Sequence, residues 1–111
     1  MNTLPLEISA AEVQQARTAG DDFLLLDCRE PEEHALVAIG DDLLIPMGEL
    51  PQRVGELAGR EADRIVVYCH LGGRSLRVAM WLRQQGFSRA QSLVGGIDHW
   101  AVEIEPGLPR Y

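Results

Sequence analysis

The residue in this sequence best placed to do chemistry is Cys69. It leaves the apolar run Ile65-Val-Val-Tyr68 and is followed by His70, Leu71, Gly72, Gly73, Arg74 and Ser75. Glycines let the backbone curl until successive amide N–H groups point inward, and a helix beginning at about Ser75 adds partial positive charge at the same place. This makes an anion cradle around a sulfur, with Arg74 as an added cation. The cradle favours a thiolate, so the Cys69 pKa is expected well below the free-cysteine value of about 8.5, giving a nucleophile ready at neutral pH.

The elements that must position this loop follow from the apolar pattern. Ser9 and Glu12 form a capping-box pair before a helix over 10–18, closed by Gly20 and preceded by a short strand at 6–8. Phe23-Leu-Leu-Leu-Asp27 and Ile65-Val-Val-Tyr68 are continuous apolar runs, the pattern of strands buried on both faces. Leu43-Leu-Ile45 stops at Pro46, and a helical pattern over 49–57 puts Leu50, Val54 and Leu57 on one face. A helix over 75–85 stops at Gly86; its Trp81 falls in the apolar pattern and reads as core packing. A strand at 91–93, a brief helix around 97–101 and an irregular tail over 105–111 complete the chain. Alternating strands and helices of this kind imply an α/β fold on a parallel sheet, in which ligands bind beyond the carboxyl ends of the strands. Cys69 lies at such an end.

Length and composition bound the rest. The 111 residues suit one domain over 1–111, and 46% hydrophobic with 24% charged residues suits a globular chain. Seventeen acidic residues against ten Lys and Arg disfavour nucleic acid and anionic lipid as partners. The start of the chain lacks the basic and apolar segments of a secretory signal, and no run approaches membrane-spanning length, so the expected compartment is the cytoplasm. Cys28 and Cys69 are too few for a disulfide framework and read as thiols. His34, in a charged segment, reads as a surface residue and His99, beside Trp100, as a packing one. With Cys69 they form no recognisable metal set, and neither metal nor cofactor is expected. Gly95-Gly96 lacks the lysine and hydroxyl residue of a phosphate loop and reads as a turn.

Cys69-x-x-Gly72-x-Arg74 resembles the active-site loop of the rhodanese-like sulfurtransferases. Leu26-Asp27-Cys28-Arg29-Glu30 is similar to that family's aspartate-x-arginine-glutamate segment, and Ile45-Pro46 to its isoleucine-proline. Gly95-Gly96-Ile97-Asp98-His99-Trp100, with the tail through Pro109-Arg110-Tyr111, resembles rhodanese domains fused to sulfur-carrier adenylyltransferases. One departure is Val37-Ala38-Ile39-Gly40, where the family usually shows glycine-histidine-isoleucine. The resemblance implies a five-stranded parallel sheet flanked by helices on both faces. It also implies that Cys69 takes sulfur from thiosulfate or a persulfide donor and passes it to a thiophilic acceptor. Arg74 would help bind the anionic donor, with His70, Leu71, Gly72, Gly73 and Ser75 as the other substrate-binding residues of the loop, while Asp27 and Arg29 would brace that loop. A cysteine desulfurase or a sulfur-carrier protein is an implied partner.

Thiolate attack on sulfane sulfur removes no proton in the transition state, so His70 reads as a loop residue or donor rather than a base. Cys28 reads as a buried thiol. In the family's strand order it would neighbour Cys69 and could trap an oxidised Cys69 as a disulfide. Two alternatives remain beside sulfur transfer. One is a non-catalytic binding or regulatory module, against which the presence of Cys69 argues. The other is a cysteine-based phosphatase or arsenate reductase, whose longer loop places its arginine six residues after the cysteine, whereas Arg74 is five after Cys69.

Overall fold

The computed structural model describes residues 4–111; the first three residues of the N-terminal stretch lie outside the described residues. Five strands form one parallel sheet: β1 (Glu7–Ile8), β2 (Leu24–Asp27), β3 (Leu43–Leu44), β4 (Ile65–Tyr68) and β5 (Ala90–Leu93), in the order β1-β5-β4-β2-β3. The helices are α1 (Ala10–Ala19), α2 (Pro31–Leu36), α3 (Leu50–Arg53), α4 (Gly73–Gln84) and α5 (Gly96–Glu103). The expected α/β class is therefore observed. Among the described residues, no helix is long and apolar enough to cross a membrane.

The apolar runs of β2 and β4 are continuous because both faces of the sheet are covered. Alternate side chains serve opposite cores. Leu26, Ile65 and Val67 pack with Leu50, Leu57, Val78, Ala79 and Leu82 on the α3/α4 side. Leu25, Val66 and Tyr68 pack with Val13, Ile97 and Trp100 on the α1/α5 side. Each fully buried Leu or Ile of this kind contributes about 1.5–3 kcal/mol. Trp81 is half-buried and packs against the first core.

Local signals set most boundaries. The Ser9–Glu12 capping box forms in both directions, and Gly20 ends α1 at φ +76°. The pattern over 49–57 is not one helix. A 3-10 turn (Met47–Glu49), α3 and a second 3-10 turn (Val54–Leu57) follow one another. Pro51 has no N–H to donate to the preceding turn, which separates the first turn from α3. Leu50 and Leu57 still reach the core. Helix α2 was not expected from the apolar pattern, because none of its residues is buried.

Candidate active site

Cys69 sits one residue beyond β4, at the carboxyl end of the sheet, and is only 1% exposed. Its Sγ accepts hydrogen bonds from the backbone N–H of Gly72 at 3.1 Å and of Ser75 at 3.3 Å. Ser75 is the third residue of α4, so the sulfur occupies the place of a capping acceptor at the positive end of that helix. Gly72 takes φ +112°, a left-handed conformation that turns its N–H inward. The Ser75 hydroxyl lies 3.5 Å from Sγ and 2.8 Å from the Ser92 hydroxyl on β5. The Ser75 hydroxyl also donates to the Gly72 carbonyl at 3.2 Å, and an ionised Cys69 competes with that carbonyl for the same proton.

A second helix holds the other side of the same loop. The backbone N–H groups of Ile97 and Asp98, in the first turn of α5, donate to the carbonyls of Cys69 at 2.9 Å and His70 at 3.1 Å. With the carbonyls fixed outward, the loop amides are free to face the sulfur. Gly96 makes this approach possible: at φ +60°, a Cβ there would lie 2.4 Å from the His70 carbonyl oxygen. The Gly95-Gly96 turn is thus a floor for the cysteine loop, a role the sequence pattern did not reveal.

Cys28 follows β2 as Cys69 follows β4, and the paired register of Asp27 with Tyr68 places the two thiols side by side on the α4 face. The Cys69 thiol is pulled down to about 4. The neighbouring Cys28 thiol contributes most, followed by the Ser75 hydroxyl and the Ser75 and Gly72 amides, while burial opposes the charge. Cys28 is pushed up, first by its hydrogen bond to Cys69 and then by burial, so it stays a thiol. Its Sγ also lies 3.5 Å from the Tyr68 carbonyl oxygen, a second acceptor for its proton. The arrangement therefore favours the charge on Cys69 and the proton on Cys28.

The opposite face carries Asp27 and Arg29, whose side chains bond to each other, Glu33, His34, Val37 and Tyr111 rather than to the cysteine loop itself. Asp27 and Arg29 are both fully buried and joined by two bonds, Nε to Oδ1 at 2.9 Å and Nη2 to Oδ2 at 2.8 Å. Arg29 also donates to the Val37 carbonyl at 2.7 Å and lies over the Tyr68 ring at 5.2 Å. Its Nη1 donates to the Tyr111 hydroxyl at 3.0 Å. Within the Val37–Gly40 stretch, Val37 and Ile39 remain buried, and the Ile39 N–H donates to the Tyr68 hydroxyl at 3.3 Å.

His34, read as a surface residue, is only half-exposed, and its Nδ1 is 2.9 Å from Asp27 Oδ2. His99, read as packing, is exposed, while Trp100 beside it is buried. Potential metal-ligating atoms of Asp27, His34 and Asp42 gather within 4.8 Å of one another. Both Asp27 oxygens already accept from Arg29, and Asp42 accepts from the Tyr68 hydroxyl, so this cluster is a hydrogen-bond network.

The loop's remaining residues are placed as follows. Leu71 is 64% exposed at the mouth, and Gly73 begins α4. Arg74 is ion-paired to Glu33 of α2 through both terminal nitrogens. The His70 ring stacks on Tyr111, with centroids 3.9 Å apart. Tyr111 also donates to Glu33 at 2.6 Å, and Arg110 pairs with Asp98 on α5. Sequence reasoning missed Glu33, Ser92 and Tyr111 as parts of this site. Glu30-Pro31 with Glu33 three residues after Glu30 was an available signal for α2.

The comparisons agree with this architecture. The family model described as "Rhodanese-like domain" matches residues 9–103. A protein of Allochromatium vinosum named "Sulfurtransferase" is 39% identical over 103 residues, covering 93% of this chain and 92% of that protein. The Arabidopsis thaliana protein named "Adenylyltransferase and sulfurtransferase MOCS3" is 29% identical over 127 residues; the match takes in 100% of this chain but 27% of that longer protein. Among solved structures, a rhodanese-related protein from Thermoplasma volcanium superposes with a TM-score of 0.77 at 30% identity, covering 95% of this chain and 96% of that one. A parallel sheet in the order β1-β5-β4-β2-β3, a cysteine loop at its carboxyl edge and a family match over most of the chain lead to one assignment: the chain belongs to the rhodanese-like domain family.

Proposed function

We propose that this chain is a sulfurtransferase that carries sulfane sulfur as a persulfide on Cys69. The observation that carries the reading is the buried Cys69 sulfur at the start of a helix, accepting from the Gly72 and Ser75 amides, an arrangement that favours the thiolate. A preformed thiolate attacks divalent sulfur without giving up a proton in the transition state. With thiosulfate, a bond forms between Sγ and the outer sulfur while the donor's S–S bond breaks, its electron pair leaving on sulfite. A thiophilic acceptor, cyanide or a thiolate, then attacks that outer sulfur, and the Sγ–S pair returns to Cys69 as the thiolate. The loop amides that hold the first charge remain in place for the persulfide.

The depth of the sulfur supports this reading over phosphate or arsenate chemistry. Cys69 is almost fully covered, and a terminal divalent sulfur is a slimmer group to bring to it than a tetrahedral oxyanion. The names of the relatives support sulfur transfer as the reaction.

Intact mass without reductant, after incubation with thiosulfate or with an alkyl persulfide, tests the proposal. The native protein is expected to gain one sulfur and to release it as thiocyanate on adding cyanide, whereas Cys69→Ala does neither. A native protein that stays unmodified with both donors would refute it.

A further inference from the structure

The cation of the Cys69 loop is already occupied. Arg74 Nη1 donates to Glu33 Oε1 at 2.7 Å and Nη2 to Oε2 at 2.9 Å, the bidentate geometry that makes arginine–carboxylate pairs strong. The pair is well covered, with side-chain exposures of 32% and 20%. Glu33 is also fixed from two other directions: Oε1 accepts the Glu30 N–H at 3.0 Å and Oε2 accepts the Tyr111 hydroxyl at 2.6 Å. The Glu33 carboxyl is held down at about 2, chiefly by Arg74, and so carries its charge throughout the neutral range. Arg29, the other arginine nearby, is paired in the same way to buried Asp27.

The charges around the sulfur therefore sum to a negative value. The Cys69 thiolate and Glu33 each contribute one negative charge and Arg74 one positive, on a chain of net charge −7. Thiosulfate would bring two more negative charges to this place and find the arginine's fork filled. A persulfide R–S–SH brings at most one charge on its sulfur and keeps the rest of its carrier outside the loop. Like charges repel in a partly desolvated site more than in bulk water.

Building on the sulfurtransferase reading, we infer that Glu33 sets the charge selectivity of the site: by occupying Arg74 it disfavours dianionic donors and leaves persulfides of low charge as the preferred substrate class. In that reaction the Cys69 thiolate attacks the terminal sulfur of R–S–SH. The Sγ–S bond forms, the S–SR bond breaks, and RS⁻ departs with the electron pair while the transferred sulfur keeps its proton. Glu33 does not touch the reacting atoms and acts as a positioning residue through Arg74.

The test is Glu33→Gln, which keeps an oxygen acceptor for the Glu30 N–H and removes the charge. Rates of sulfur loading onto Cys69 are measured with thiosulfate and with the persulfide of N-acetylcysteine methyl ester, whose body is uncharged, at low and high salt. For thiosulfate, kcat/KM is expected to rise about tenfold in the variant, mostly through a lower KM, whereas the persulfide rate changes less than about twofold. In the native protein the thiosulfate rate is expected to rise with salt, because screening relieves repulsion. That measurement stands even if the variant folds poorly. A thiosulfate rate that falls with salt in the native protein, or a folded variant whose two rates change by the same factor, overturns the inference. If neither donor loads native Cys69, it is the sulfurtransferase reading itself that fails.

Discussion

On the α4 face of the sheet, Cys28 and Cys69 stand side by side at the ends of β2 and β4. On the other face, one residue away along each strand, stand Asp27 and Tyr68, joined by Arg29. The two faces treat charge in opposite ways. Asp27 meets a full opposite charge, and the remaining polar atoms of Arg29 go to Val37, Glu33 and Tyr111. Cys69 meets no formal cation bonded to its sulfur; amides, a hydroxyl and a thiol stabilise it instead. A charge matched by an ion pair is structurally fixed, whereas a charge held by dipoles keeps its electron pair available for reaction. The period of two along a strand allows both arrangements on the same two strands.

The comparison breaks most severely at Arg29. Arg29→Met leaves the Asp27 carboxylate buried without its fork, and removing one partner of a buried pair costs about 3–5 kcal/mol. Denaturant unfolding is expected to show a loss of that size. A loss below about 1 kcal/mol would mean that His34 and the backbone satisfy Asp27 alone.

A smaller effect is expected on the reactive face. Cys28→Ala removes the thiol beside Cys69 but leaves the Gly72 and Ser75 amides, so the Cys69 pKa should rise by about one unit with little loss of stability. An unchanged titration would assign the thiolate to the helix terminus alone.

These faces were unequally legible in the sequence. Strand β4 and the loop after it could be read directly, because a buried apolar run and a glycine turn are local signals. The Ser9–Glu12 cap was equally local. Helix α2 escaped because it buries nothing, so it has no apolar stripe to detect. The Glu33–Arg74 pair and the Tyr111–His70 stack join residues far apart in the chain and depend on how the tail folds back. Periodicity carries no information about such contacts. The resemblance at Asp27 and Arg29 implied bracing, but which atoms they meet required the fold. The 49–57 segment shows the reverse case: its apolar face was correctly read, while Pro51 divided the helix that was meant to carry it.

The central claim is that Cys69 rests as a thiolate. Thiolate absorbance in the ultraviolet, recorded against pH for the native protein and subtracted by that of Cys69→Ala, reads this without needing a reagent to reach the buried sulfur. An inflection well below the ordinary cysteine value, with the thiol ionised throughout the neutral range, is the predicted result. An inflection at the ordinary cysteine value of about 8.5 would show that the loop does not activate the sulfur and would contradict the account.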